Sequence, residues 1–266
     1  MPSIVASPCR SSRLQKISKQ CAAARAKVVA AKRTPLAPKH NGIACTTATM
    51  TFPRTLARPA IDEVDVNALA NVYTDLAGVP AQYVRDNLCR SSMRAATQGV
   101  NISLPNDGLP KELQVLLNDV VAADCPTHIF AVHSASAVTQ KRRVALFPAH
   151  DLLFRLHCTR LPELPASRPS KSGEKAKTIP VVPLCLPSLE TFPLLHAYLY
   201  TQNAPALLAS LAPPCEADLL RLAQHAQKVY GLWSNACALG VVDGLLYDAI
   251  EASWEATMRG MQACQT

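Results

Sequence analysis

Glycine is scarce, with nine in 266 residues. A chain this poor in glycine has little backbone able to wrap a phosphate. No GxSxG elbow, phosphate loop, HExxH or Gly-rich dinucleotide turn is present. Aromatic residues make up only 5%, so Leu, Ala and Val must fill the core. None of the ten cysteines forms a CxxC pair. His150 and His157 beside Cys158 resemble half a zinc site, but no second half with ligand spacing follows, and His128 and His133 fall on opposite faces of a strand. Clustered carboxylates occur at Asp62, Glu63 and Asp65 and at Glu216 and Asp218, both read as helix starts. The chain therefore reads as non-enzymatic, with no catalytic residue, no cofactor and no metal. No run of about 20 apolar residues exists, so no membrane span is expected. No apolar stretch follows the first charges, so no secretory leader is expected, and the cysteines read as reduced thiols.

Acidic residues are absent from the first 61 positions, where eleven of the 27 Lys and Arg lie. The remainder has sixteen bases against 19 acids. The net charge of +8 thus belongs to an arm and not to a basic face of the body. We read residues 1–60 as a disordered basic arm. Leu14, Ile17, Cys21, Ala24 and Val28 form a short apolar stripe within it. Arg13, Lys16, Lys19, Arg25, Lys27, Lys32 and Arg33 are candidate import or nucleic-acid contacts. Composition divides equally between a nuclear tail and a mitochondrial transit peptide. Direct DNA reading by the body is disfavoured by its net acidity. Any DNA affinity should lie in the arm and fall steeply with salt.

Residues 61–266 read as one α+β domain, mostly helical. The segment 61–123 is predicted helical, with Pro110 opening a helix through Leu113, Val115, Leu116, Val120 and Val121. Strands are predicted over Thr127–His133 and Arg142–Phe147, forming a hairpin, with a helix over His150–Cys158. Leu161–Thr178 reads as an exposed loop. Ile179–Leu186 reads as an edge strand, because Pro180, Pro183 and Pro187 remove donors. Ser188 is the predicted cap of the next helix. Leu207–Leu211 is a short helix, Gly231 marks a turn, and the last helix carries Trp254, Met258 and Met261. Trp254 is assigned to the core. Tyr198 and Tyr200 are two apart on a helix and point in different directions, so Tyr200 is the predicted partner-facing residue.

Three stretches carry a resemblance: IFAVHSASAVTQKRRVALFPAHDLL (129–153), IPVVPLCLPSLETFPLLHAYLYTQNAPALLASL (179–211) and HAQKVYGLWSNACALGVVDGLLYDAIEASWE (225–255). Together they resemble the clampless proteins of basidiomycete fungi. The resemblance implies a regulator of sexual development, acting in clamp-cell formation and dikaryon maintenance downstream of mating-type homeodomain factors. It implies protein partners, transcription factors of the mating programme among them, leaves a homodimer open, and tips the arm towards the nucleus. At fold level, the order Phe147-x-x-His150, Leu152-Leu153, strand, Phe192 to Thr201 and Leu219 to Ala223 resembles a BTB/POZ domain. That implies a small sheet, hairpin plus edge strand, packed by helices in a BTB-like core at 124–266.

Overall fold

The computed structural model describes residues 51–60, 62–102, 108–118, 121, 124–134, 143–167, 175–214 and 218–264. All of these lie in one unit, Thr51–Thr266. The basic arm residues from Arg13 to Arg33 lie outside the described residues.

The chain is α+β. Among the described residues three helices come first: α1 (Val66–Val72), α2 (Ala81–Asn87) and α3 (Arg90–Gly99), with a 3-10 turn at Thr74–Leu76. Asp65 caps α1, its carboxylate accepting from the Asn67 and Ala68 amides, so the acidic start has a physical role. Strands β1 (Glu112–Leu116), β2 (His128–Ser134) and β3 (Val144–Ala149) follow, then α4 (Asp151–His157) and β4 (Ala176–Leu186). The chain closes with α5 (Phe192–Thr201), α6 (Ala204–Ser210), α7 (Leu219–Leu239) and α8 (Gly244–Ala263).

The sheet order is β1-β4-β2-β3. β2 and β3 form the expected antiparallel hairpin, and β4 runs parallel to β2. Two expectations are corrected here. Residues 112–116 form β1 and not a helix, because pairing with β4 satisfies their backbone and buries Val115. β4 is also not an edge strand. Its first half, Ala176–Pro180, pairs with β1, and its second half, Val181–Leu186, pairs with β2. Each half has one strand partner, which leaves an unpaired side for the missing proline donors.

Both faces of the sheet are buried. Phe130, Val132, Val182, Leu184 and Leu186 enter the main core with helices α4 to α8. Ile129, Ala131, Ile179 and Val181 point the other way, into a smaller cluster with Val115 and Val121. Burial on two sides explains why these strands read as continuous apolar runs.

The loop after α4 is not wholly exposed. Leu164 is buried in the main core, and the Pro165 carbonyl accepts from His128 Nε2 at 2.7 Å. Residues 51–60, read as the end of the arm, lie on the body: Leu56 is buried, and Phe52 packs edge-on against Trp254 with ring centroids 5.9 Å apart. The side chains of Phe52, Leu56 and Arg58 anchor that short segment despite its lack of regular structure.

Gly231 makes no turn, since α7 runs through it for 21 residues. The true stop is Gly240, at φ +64°. Gly231 instead lets α7 approach the turn before α5: an added Cβ would meet Ser188 Oγ at 2.8 Å. One helical turn on, buried Asn235 accepts from the Ser188 amide at 3.0 Å and donates to the Ser188 carbonyl at 2.6 Å. Ser188 is therefore held by α7, and Thr191 occupies the α5 cap position in its place. Gly231→Val should destabilise by about 1–3 kcal/mol through overpacking. A urea midpoint equal to wild type would refute this close packing.

Candidate functional site

The step from β3 into α4 gathers a network of buried and half-buried polar groups. His150 Nε2–H donates to the Asp124 carbonyl at 3.0 Å, which leaves Nδ1 to accept from the Tyr200 hydroxyl at 2.9 Å. The Tyr200 oxygen in turn accepts from the His150 amide at 3.1 Å. Thr127 Oγ1 accepts from the Asp151 amide at 2.8 Å, and Asp151 receives Tyr73 and, at 3.4 Å, Arg155. His196 Nε2–H donates to the Pro148 carbonyl at 2.8 Å. The network ties β2, β3, α4 and α5 together.

Tyr200 belongs to this network, with 2% of its surface exposed, so the partner-surface assignment is corrected. Tyr198 is buried as well and donates to Asp243 at 2.7 Å. The two-apart argument assumed a helix with one buried face. α5 instead packs against α3, α4, α6 and α7 together, which leaves only Pro193 and Ala197 exposed on it.

Burial holds the imidazoles near this step neutral. His196 is pushed down to about 4 by desolvation. His157 is pushed down to about 3 by desolvation and then by Arg90 and Arg85. Neither ring nitrogen of His157 has a hydrogen-bond partner. Burial alone pushes the Cys158 thiol far up, and Cys237 rises to about 11. Thiols so raised are poor nucleophiles. Among the described residues, no three His, Cys, Asp or Glu side chains gather as a metal set. His128 and His150 are buried and hydrogen-bonded within the fold.

The open surface feature lies in the C-terminal helical layer. α6 and α8 enclose an apolar groove of about 410 Å³, lined by Leu208, Ala209, Pro205, Ala252 and Ala256 among others. Ser253 in its wall is already committed, donating to the Leu211 carbonyl at 2.5 Å. Leu208 is 42% exposed, and on the neighbouring α7 Leu220 is 67% exposed. The sequence reading missed this groove: its small residues, Ala209, Ala252 and Ala256, carry no chemical signature, and their spacing becomes a groove only once the helices meet.

The second exposed feature is the seat of residues 51–60. Arg58 reaches Asp248 and Glu251 on α8, and Trp233 Nε1–H donates to the Ala57 carbonyl at 3.2 Å. Neither feature carries a reactive group; the groove presents apolar surface, and the seat pairs an aromatic wall with fixed charge, the means of protein recognition.

Comparison with known proteins bears on the whole of this body. The family model described as the clampless protein 1 N-terminal domain matches residues 59–187, and that described as the clampless protein 1 C-terminal domain matches residues 164–266. No curated protein and no solved structure matches the chain.

Proposed function

The chain belongs to the clampless family, and from that membership we propose that it is a non-catalytic regulator of fungal sexual development that works by holding other proteins. The family domains point to a part in clamp formation and development. The finer reading places the chain in the nucleus, downstream of the mating-type homeodomain factors, with transcription factors of the mating programme as partners. The hairpin–helix–strand order of β2, β3, α4 and β4, followed by α5, supports a BTB/POZ-like reading of the core.

The observation that carries the protein-binding reading is the α6–α8 groove. It is open, almost wholly apolar and lined by the exposed Leu208. Exposed apolar surface gathered in one place is a candidate for protein association. A docked helix would lay its own leucines into such a groove.

Ala252→Arg fills the groove from an exposed position, and Leu208→Asp places a charge on its rim. Each should leave stability within about 0.5 kcal/mol. Tagged wild-type protein drawn from mating cells should retain a transcription factor that both variants lose by at least about ten-fold, a change of about 1.4 kcal/mol. Equal recovery with wild type and variants would sink the groove as the docking site.

A mitochondrial protein is the competing reading, supported by the acid-free arm. A fluorescent fusion at the C-terminus separates the two: signal in nuclei upholds the proposal, and signal in mitochondria replaces it.

A further inference from the structure

Residues 51–60 have the form of a bound peptide. They contain no helix or strand, and seven of the ten are exposed. Their anchors are few and regularly placed. Phe52 stands edge-on to Trp254, at 5.9 Å and 75°. Leu56 is buried in the core, and the Ala57 carbonyl accepts from Trp233 Nε1 at 3.2 Å. Arg58 then spans Asp248 and Glu251, with Nε 2.6 Å from Glu251. Among the described residues, the segment makes no backbone-to-backbone hydrogen bond with the body.

The seat itself is closely packed. Trp254 is 1% exposed, and its ring lies 6.3 Å from that of Tyr230, which in turn lies 5.4 Å from Trp233. The two carboxylates come from adjacent turns of α8, three residues apart. An aromatic wall, one indole donor at a carbonyl and a carboxylate pair at a fixed distance make a reader of extended peptides. The seat shares none of its contact residues with the α6–α8 groove.

We propose that this α7–α8 face is a peptide-recognition site. Its ligand is an extended segment of another protein with an aromatic residue, a leucine four positions on and an arginine two further. Residues 51–60 fill the site in its closed state. Charge complementarity selects the arginine: Asp248 and Glu251 are both occupied by Arg58 and would be left facing each other without it. The ion pair of the closing contact is weak, because Arg58 and Asp248 side chains are 44% and 58% exposed, and ion pairs so wetted contribute little and are screened by salt; Phe52 and Leu56 supply the apolar packing. What favours the chain's own segment is tethering, which gives it an effective concentration near the millimolar range. A partner segment need only match these anchors once the tethered copy loosens.

The test uses the full chain and a fluorescein-labelled synthetic peptide of the sequence TFPRTLARPA, read by anisotropy. Wild type should take up the peptide weakly. Phe52→Ala with Arg58→Glu should bind it at least ten-fold more tightly, because the seat is intact and its tenant is released. Asp248→Lys with Glu251→Lys, in a Phe52→Ala and Arg58→Gln background, should abolish uptake of this peptide and accept one carrying Glu at the arginine position. Arg58→Gln alone is a milder change at an exposed side chain and should raise affinity several-fold. Equal uptake by wild type and Arg58→Gln would overturn the proposal. So would loss of the cooperative melt in both variants, since residues 51–60 would then be part of the core and not a ligand. Concentration-dependent dimerisation of the loosened variants without peptide uptake would overturn it too, assigning the seat to a second copy. Because the readout is a synthetic peptide, its outcome does not depend on the α6–α8 groove or on the nuclear reading.

Discussion

Tyr200→Ala should cost the fold about 3–5 kcal/mol, the range seen when a buried aromatic is truncated. The ring is 2% exposed and lies against His196, with centroids 4.9 Å apart, and against His150 at 5.7 Å. Truncation opens a cavity between α4 and α5, and it also removes the hydroxyl that the His150 amide and Nδ1 share. A buried donor left alone costs a further about 1–3 kcal/mol, so Tyr200→Phe should itself cost roughly that much while keeping the packing. Urea unfolding of the three proteins checks both figures. A Tyr200→Ala midpoint equal to wild type would mean that the hydroxyl faces solvent after all. A Tyr200→Phe protein as stable as wild type would mean that His150 finds water in place of the phenol.

Acid should unfold this protein well before its carboxylates titrate. His157 and His196 are held down to about 3 and about 4 in the folded state, against about 6.5 in the unfolded chain. Below pH 6.5 the unfolded chain takes up protons that the folded chain refuses, so the unfolded state binds more and stability falls as pH falls. The loss should begin near pH 6.5 and continue until the folded groups also charge, to about pH 4 for His196 and about pH 3 for His157. Each pH unit in that window is worth about 1.4 kcal/mol per group, so the two histidines together should remove on the order of 4 kcal/mol by pH 5. His150, His128 and His225, also lowered by burial, act in the same direction.

His157 offers the sharper test. Its two ring nitrogens are buried without partners, beside the cationic Arg85 and Arg90. His157→Leu removes the proton site and two unsatisfied polar atoms at one stroke. It should reduce the stability difference between pH 7.5 and pH 5.0 by about 2 kcal/mol. Stability at pH 7.5 should hold or rise, because an apolar group of similar size replaces an unpaired polar one. An unchanged pH slope would show that the acid response arises elsewhere.

Several elements were legible because their causes are local. Asp65 and Asp218 cap their helices through their own carboxylates. The β2–β3 hairpin follows from two β-branched and aromatic runs, and Trp254 was assignable to the core from its place in an apolar helix. The family was legible for a similar reason: the wording of three segments survives in one dimension.

Other features were decided between elements. Residues 112–116 had the apolar content of a helix and became a strand because β4 offered free backbone partners. Prolines in β4 read as an edge signal, yet the strand lies inside the sheet because its two halves are paired on opposite sides. Gly231 read as a break and is a contact, since only the position of Ser188 against α7 shows what a Cβ would strike. Tyr200 read as surface because periodicity describes one helix at a time. The α6–α8 groove and the seat of residues 51–60 had no sequence signal at all. Propensity, capping charge and family wording act within a few residues and so were fixed by the sequence itself. Which faces are covered, which backbone finds a partner and where small residues leave a hollow depend on groups distant along the chain, and the tertiary structure alone brought those together.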